Sequence, residues 1–152
     1  MSGKIYYINK DKEVRHLSNF SKFKVVVNGV LYNTSEHYFQ AAKFFDTDPE
    51  WAQKITETTW PSEAFKLGKS REHKIHPDWD NGLALKHMGI VLREKFKQNK
   101  EVCDQLLETG DAYIVERADW DDVWGDGKDR WGKNQLGRLC MKIRNEIKRV
   151  LV

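Results

Sequence analysis

Apolar and polar positions along the chain fall into two rhythms. Residues Ile5–Ile8 form a short apolar and aromatic run of high β-propensity. Residues 23–27 and Val30–Tyr32 flank Asn28-Gly29, a dipeptide that takes positive φ at low cost, so a β-hairpin is expected over 22–33. After it the rhythm turns helical. Thr34 and Ser35 are good N-cap residues, and TSEHYFQAAKFF behind them should start a helix with Tyr38, Ala41, Ala42 and Phe45 turned inward. Asp48-Pro49-Glu50 repeats that grammar, with a cap, a proline in the first turn and an acid near the positive helix end. Pro61-Ser62-Glu63 opens a third helix that ends near Gly68. A longer helix is expected over 79–99, with Leu83, Met88, Val91, Leu92 and Phe96 on its inner face and Gly82 and Gly89 as weak points. Residues 102–108 make another, stopped by Gly110, and 112–118 (AYIVERA) read as a strand. Leu136, Leu139, Cys140, Ile143, Ile147 and Leu151 mark the last helix. The order predicts an α+β fold: a helix-dominated single domain over 1–152 with a small antiparallel sheet or hairpin.

Composition narrows the class. The 152 residues suit one domain, and 39% hydrophobic residues can build a core. With 32% charged residues and a mean hydropathy of −0.73, no run approaches the roughly 18 apolar residues of a spanning helix, so no membrane partner is expected. The N-terminus lacks the apolar stretch of a secretory signal, and a cytoplasmic location is expected. Lys and Arg total 26 against 23 Asp and Glu, a net +3 with pI about 8.8, short of a dedicated nucleic-acid binder. Cys103 and Cys140 lie in apolar helical patterns and read as buried free thiols. His73 and His76 could share a helix face, but no third ligand joins them. Neither a metal nor a cofactor is expected, and the oligomeric state stays open.

Chemistry concentrates in three places. Three of the six tryptophans, Trp120, Trp124 and Trp131, fall in a glycine-rich stretch that interleaves acids such as Asp126 with bases. Aromatics on a polar, glycine-rich loop suit stacking on a planar ligand. Asn134 follows as the N-cap of the last helix, and a helix N-terminus also attracts anions. On the helix from Ser35, Glu36, Gln40 and Lys43 fall within roughly 60° of one another. Phe39 and Phe44 flank that face, and partial burial would move an acid and an amine toward neutrality. HLSNF, with Asn19 and Phe20, offers amide, hydroxyl and ring groups to a base or ribose edge.

Taken in order, LSNF, the hairpin, TSEHYFQAAKF, PSEAFKLGK and WGDG…GKNQLGRLCMKIR resemble the NADAR/YbiA-like family from about residue 5 to 150. The resemblance implies an N-glycosidase that hydrolyses the C1–N bond of ribosylaminopyrimidine 5′-phosphate intermediates of riboflavin biosynthesis. These are 5-amino-6-(5-phosphoribosylamino)uracil and its diaminopyrimidinone precursor, so the partner is a small-molecule ribosylaminopyrimidine phosphate. Other members are implied to remove ADP-ribose from guanine bases, the one reading under which nucleic acid is a partner. A non-catalytic ADP-ribose or nucleotide-binding module is a further alternative. Lys69 stands where the family often has arginine, keeping the charge but not the bidentate fork.

Cleaving a ribosylamine requires protonation of the departing nitrogen, stabilisation of C1 and delivery of water. By analogy with paired-carboxylate glycosidases, Glu36 and Asp126 are the candidate acid and base. Ribosylamines also open to an imine at C1, into which an amine can exchange; Lys43 is the candidate, with Glu36 moving protons. Trp124 would stack the pyrimidine, Gly125 would allow close approach, and Asn19 and Phe20 would line the base or ribose. Lys69 and Arg71 would meet the 5′-phosphate, and Asn134 completes the binding set.

Overall fold

A computed structural model describes residues 3–151, which divide into two compact units. One unit is Asn19–Asn99; the other joins residues 3–18 to 100–151.

The middle unit opens with the hairpin, β2 (Val25–Val27) antiparallel to β3 (Val30–Tyr32). Asn28 and Gly29 have φ of 52° and 80°, the primed turn that matches strand twist. Val25, Val27 and Tyr32 face the core, whereas Val26, Val30 and Leu31 are exposed. α1 (Ser35–Ala42) is the hub, buried along its whole length and packed on α2 (Pro49–Glu57), α3 (Pro61–Gly68) and α4 (Ala84–Gln98). Thr34 caps α1 by accepting the His37 N–H, and Asp48 caps α2 by accepting the Trp51 N–H at 3.1 Å. Gln98 exchanges two 2.8 Å hydrogen bonds with the Val26 backbone and so occupies the hairpin edge from α4.

The expected 79–99 helix begins later than its pattern suggests. Residues Trp79–Leu83 form a π turn in which Asn81 and Gly82 leave helical geometry, Gly82 at φ 102°, and α4 starts at Ala84. Met88, Val91, Leu92 and Phe96 are buried as expected, while Leu83 is only half-buried. His73 and His76 share no helix face, because the segment between α3 and the π turn is irregular.

In the other unit, β1 (Ile5–Ile8) pairs parallel with β4 (Tyr113–Glu116), from Ile5 opposite Tyr113 to Ile8 opposite Glu116. This parallel pair adds to the expected antiparallel hairpin; Ile8 and Ile114 are its fully buried residues. A 3-10 turn at Lys12–Leu17 packs on α5 (Lys100–Glu108), and the His16 N–H donates to Gln105 Oε1 at 2.9 Å. Gly110, at φ 61°, ends α5 as expected. α6 (Gln135–Leu151) lies on β4, and a Cβ at Gly137 would overlap the Ile114 carbonyl. Leu136, Leu139, Cys140 and Ile143 are buried, but Leu151 is exposed: the apolar stripe outruns the core. Cys140 is buried and Cys103 half-buried, both free thiols. Among the described residues no helix is long and apolar enough to cross a membrane.

Candidate active site

In the middle unit, α1 carries Glu36, Gln40 and Lys43 along one side, as the helical spacing predicts. Gln40 Nε2 donates to Glu36 Oε2 at 2.6 Å, and both side chains are buried. Lys43, at the C-cap of α1, donates from Nζ to the Gly68 carbonyl at 3.3 Å. Gly68 also packs so closely on Gln40 that a Cβ there would overlap the Gln40 side-chain amide.

Beyond Gly68 the chain turns through Lys69, Ser70 and Arg71 and forms one wall of a cavity of about 450 Å³. Lys43 lines it as well, together with His73, Ile75, Trp79 and Asp80. The volume lies in the range of small-molecule sites, about 300–1,000 Å³. Four cationic or protonatable side chains against one carboxylate make it a place for an anion. Burial pushes the Lys43 amine below the ordinary lysine range and Lys69 adds to that; Glu36 and Asp80 pull back without overcoming it. Lys43 is therefore an amine that sheds its proton more readily than a surface lysine, which a nucleophile requires.

Asn19 and Phe20 border the same elements. The Asn19 carbonyl accepts the Glu36 N–H at 3.2 Å, and its Oδ1 accepts the Ser35 hydroxyl at 2.8 Å, so Asn19 fixes the start of α1 where Glu36 sits. Phe20 is 43% exposed and meets Phe65 edge-on at 6.2 Å. Lys69 Nζ lies 4.2 Å from the Phe65 ring centre, and this packing holds the amine over an aromatic face. Asn19, Phe20, Glu36, Lys43, Lys69 and Arg71 thus gather around α1 and the end of α3. Arg71, two residues on from Lys69, lines the same cavity and carries the bidentate fork that Lys69 lacks. Sequence reasoning missed Ser70, His73, Trp79 and Asp80. Their signal was the charge-dense KSREHKIHPDWD stretch, in which Lys69 and Arg71 are read for the phosphate but His73, with His76, only for a metal.

The other candidates lie in the second unit, and there the chain's own needs absorb them. Asp126 is 5% exposed and accepts the Ala118 N–H at 3.0 Å, Arg117 Nε at 2.7 Å and Arg130 Nη1 at 3.3 Å. Burial pushes its carboxyl up, but these donors outweigh it and hold the pKa below the usual carboxylate range. A carboxylate so held does not donate a proton near neutrality. Gly125 is small for the chain itself: a Cβ would stand 2.7 Å from Ala118 Cβ and 2.9 Å from the Asp121 carbonyl. Asn134, at φ 52°, does not cap α6 with its side chain; it accepts the Glu116 N–H at 2.8 Å and donates to the Ile114 carbonyl at 2.9 Å, extending the edge of β4. The Gln135 and Leu136 N–H groups at the start of α6 meet the Val123 and Trp124 carbonyls. Trp124 is half-buried, whereas Trp120 and Trp131 are 74% and 89% exposed.

A sequence model of the NADAR domain matches residues 5–148. The chain belongs to the NADAR family. N-glycosidase YbiA of Escherichia coli is 34% identical to it over 143 residues, covering 94% of this chain and 88% of YbiA. The solution structure of E. coli YbiA superposes with a TM-score of 0.84, covering 97% of this chain and 87% of that one. A riboflavin biosynthesis protein of Vibrio vulnificus is 35% identical over 147 residues, but this NADAR chain spans only 39% of that protein's length. The family's curated members therefore include enzymes named for hydrolysis of N-glycosyl bonds.

Proposed function

We propose that this NADAR protein is an N-glycosidase that cleaves the C1–N bond of ribosylaminopyrimidine 5′-phosphates through a Schiff base on Lys43. The observation that carries the reading is a desolvated amine opening on a cationic cavity. The names of the relatives, N-glycosidase for YbiA and riboflavin biosynthesis protein for the Vibrio chain, support the bond type and the pathway; the ribosylaminopyrimidine phosphate is the substrate this reading assigns.

The chemistry follows from the groups at hand. The ring-opened ribosylamine presents an imine at C1. The neutral Lys43 Nζ attacks C1, the C=N π bond opens onto the exocyclic nitrogen, and the two Nζ protons pass in turn to that nitrogen. The C1–N bond then breaks and the aminopyrimidine leaves, with C1 held as the lysine imine. Water adds to C1, the Lys43–C1 bond breaks, and ribose 5-phosphate is released. Glu36, oriented by Gln40, and Asp80 are the carboxylates near enough in charge to bias Lys43, and we assign the proton transfers to them. Asp126 is assigned to holding its own segment in shape. Lys69 and Arg71 take the phosphate.

Borohydride trapping with 5-amino-6-ribosylaminouracil 5′-phosphate, followed by peptide mapping, tests the reading. An adduct on the Lys43 peptide is expected; an adduct elsewhere, or turnover without any adduct, overturns the covalent route. Running ADP-ribosylated guanosine beside it decides the substrate. Salt dependence adds a second criterion, because a metabolite lacks the steep slope of a nucleic acid.

A further inference from the structure

We propose that His73 is a phosphate-binding residue of the cavity, held for that role by Asp48 and Trp51. The proposal rests on the function given above and extends its phosphate subsite to a side chain outside the Lys69–Arg71 pair.

The argument begins at the start of α2. Asp48 Oδ1 is used by the helix, accepting the Trp51 N–H at 3.1 Å. Its second oxygen, Oδ2, lies 2.7 Å from His73 Nδ1. A carboxylate at that distance accepts from Nδ1–H, which orients the ring and leaves Nε2 as the ring nitrogen for a ligand. The ring plane is fixed as well. Trp51 stacks on His73 with centroids 3.7 Å apart and planes 7° apart, and the indole Nε1 donates to the Leu67 carbonyl at 3.1 Å. The imidazole is thus clamped by α2 on one side and tied through the indole to the end of α3, where Lys69 and Arg71 begin.

His73 lines the cavity with those two cations. With a phosphate dianion in the cavity and Asp48 behind, anions flank both ring nitrogens. In the proposed complex Nε2–H donates to a phosphate oxygen, on the side of the ring away from Asp48. Lysine supplies a point charge, arginine a fork, and histidine a single directed donor whose aim the stack fixes.

The test is calorimetric titration of the full chain with ribose 5-phosphate and with inorganic phosphate. His73→Phe keeps a flat ring for Trp51 and removes both nitrogens. It is expected to weaken both ligands about tenfold with the melting temperature unchanged. Asp48→Asn still caps α2 but removes the charge behind the ring, and a loss of a few-fold is expected. Wild-type affinity in a well-folded His73→Phe variant, or no binding of either ligand by the wild type, overturns the proposal. In kinetics the variant should raise KM for the phosphorylated substrate and leave kcat in place; a fall in kcat at constant KM overturns the binding role. Should the wild type bind ribose 5-phosphate yet turn over no ribosylaminopyrimidine, the phosphate site stands and the glycosidase reading falls.

Discussion

Lys43 and Asp126 are ionisable groups taken from water by different surroundings. Asp126 has a donor for each oxygen and a guanidinium on either side, so its charge is compensated and its pKa falls. Lys43 is desolvated by burial, with one carbonyl at 3.3 Å, a neighbouring lysine that opposes its charge and a cavity it lines; burial lowers its pKa, Lys69 adds to that, and Glu36 and Asp80 do not make up the difference. The first arrangement stabilises one charge state and fixes a loop. The second leaves an amine that gives up its proton more readily than a surface lysine, and a ligand can complete it. Under the proposed function, compensation separates scaffold from chemistry better than burial does, since by burial alone Asp126 ranks as the more special group.

The largest effect should come from Lys43→Met, which keeps the aliphatic stem and removes the amine. A kcat loss of roughly 10³-fold or more is expected, with the melting temperature unchanged or slightly higher because a desolvated cation is gone. Lys43→Arg should not restore turnover, since a guanidinium does not deprotonate. Steady-state kinetics beside thermal melts check both, and a variant that loses its fold together with its rate erases the contrast with Asp126. Asp126→Asn should do the reverse. Removing the charge from a carboxylate clasped by two arginines is expected to cost about 2–4 kcal/mol in denaturant unfolding. Its kcat per folded molecule should stay within a few-fold.

The helices were legible because their caps and apolar spacing are local properties. Thr34, Asp48 and the Asn28-Gly29 turn behave as their chemistry dictates. The face of Glu36, Gln40 and Lys43 was legible for the same reason. The parallel pairing of β1 with β4 was not, because Ile5 and Tyr113 are remote in sequence and neither strand encodes its partner. The uses of Asp126, Gly125 and Asn134 were hidden likewise: each is set by a backbone group of residues 114–121 that only the folded chain brings near. The place of His73 in the cavity went unread because an irregular segment has no period, that of Asp80 because 79–83 reads as regular helix where the chain makes a π turn, and the link of both to Lys43 is spatial.

The pH response sharpens the contrast, because both pKa values are lowered but the two groups carry opposite charge. For Lys43 the neutral form is the reactive one, so kcat/KM should climb with pH and level off below the ordinary lysine pKa of about 10.4. The unfolded chain then binds more protons than the folded one across that interval, so the Lys43 contribution to stability also improves as pH rises. For Asp126 the folded carboxyl stays ionised below the ordinary value of about 3.9. Its stabilisation is complete above that value and is lost as pH falls through the folded pKa. Chemical denaturation from pH 3 to 7 should therefore show an acid-side loss that is smaller in Asp126→Asn and intact in Lys43→Met.

Two glycines give the smallest and most local version of the comparison. An alanine at Gly125 would meet the Ala118 Cβ and the Asp121 carbonyl, and a backbone oxygen cannot move aside without the loop moving. A loss of about 1–3 kcal/mol is expected, the usual cost of overpacking, with activity following the folded fraction. An alanine at Gly68 would meet the Gln40 side chain, which is able to turn away. The fold should therefore yield by less than at Gly125. The displaced Gln40 would lose its hold on Glu36, and the Gly68 carbonyl would draw back from Lys43. Gly68→Ala should accordingly lower kcat by about tenfold, the size of one lost charge-assisted hydrogen bond, at nearly constant melting temperature. Equal stability losses at the two glycines, or an unchanged kcat in Gly68→Ala, would mean that the α1–α3 contact is packing alone and that Glu36 is not held for proton transfer.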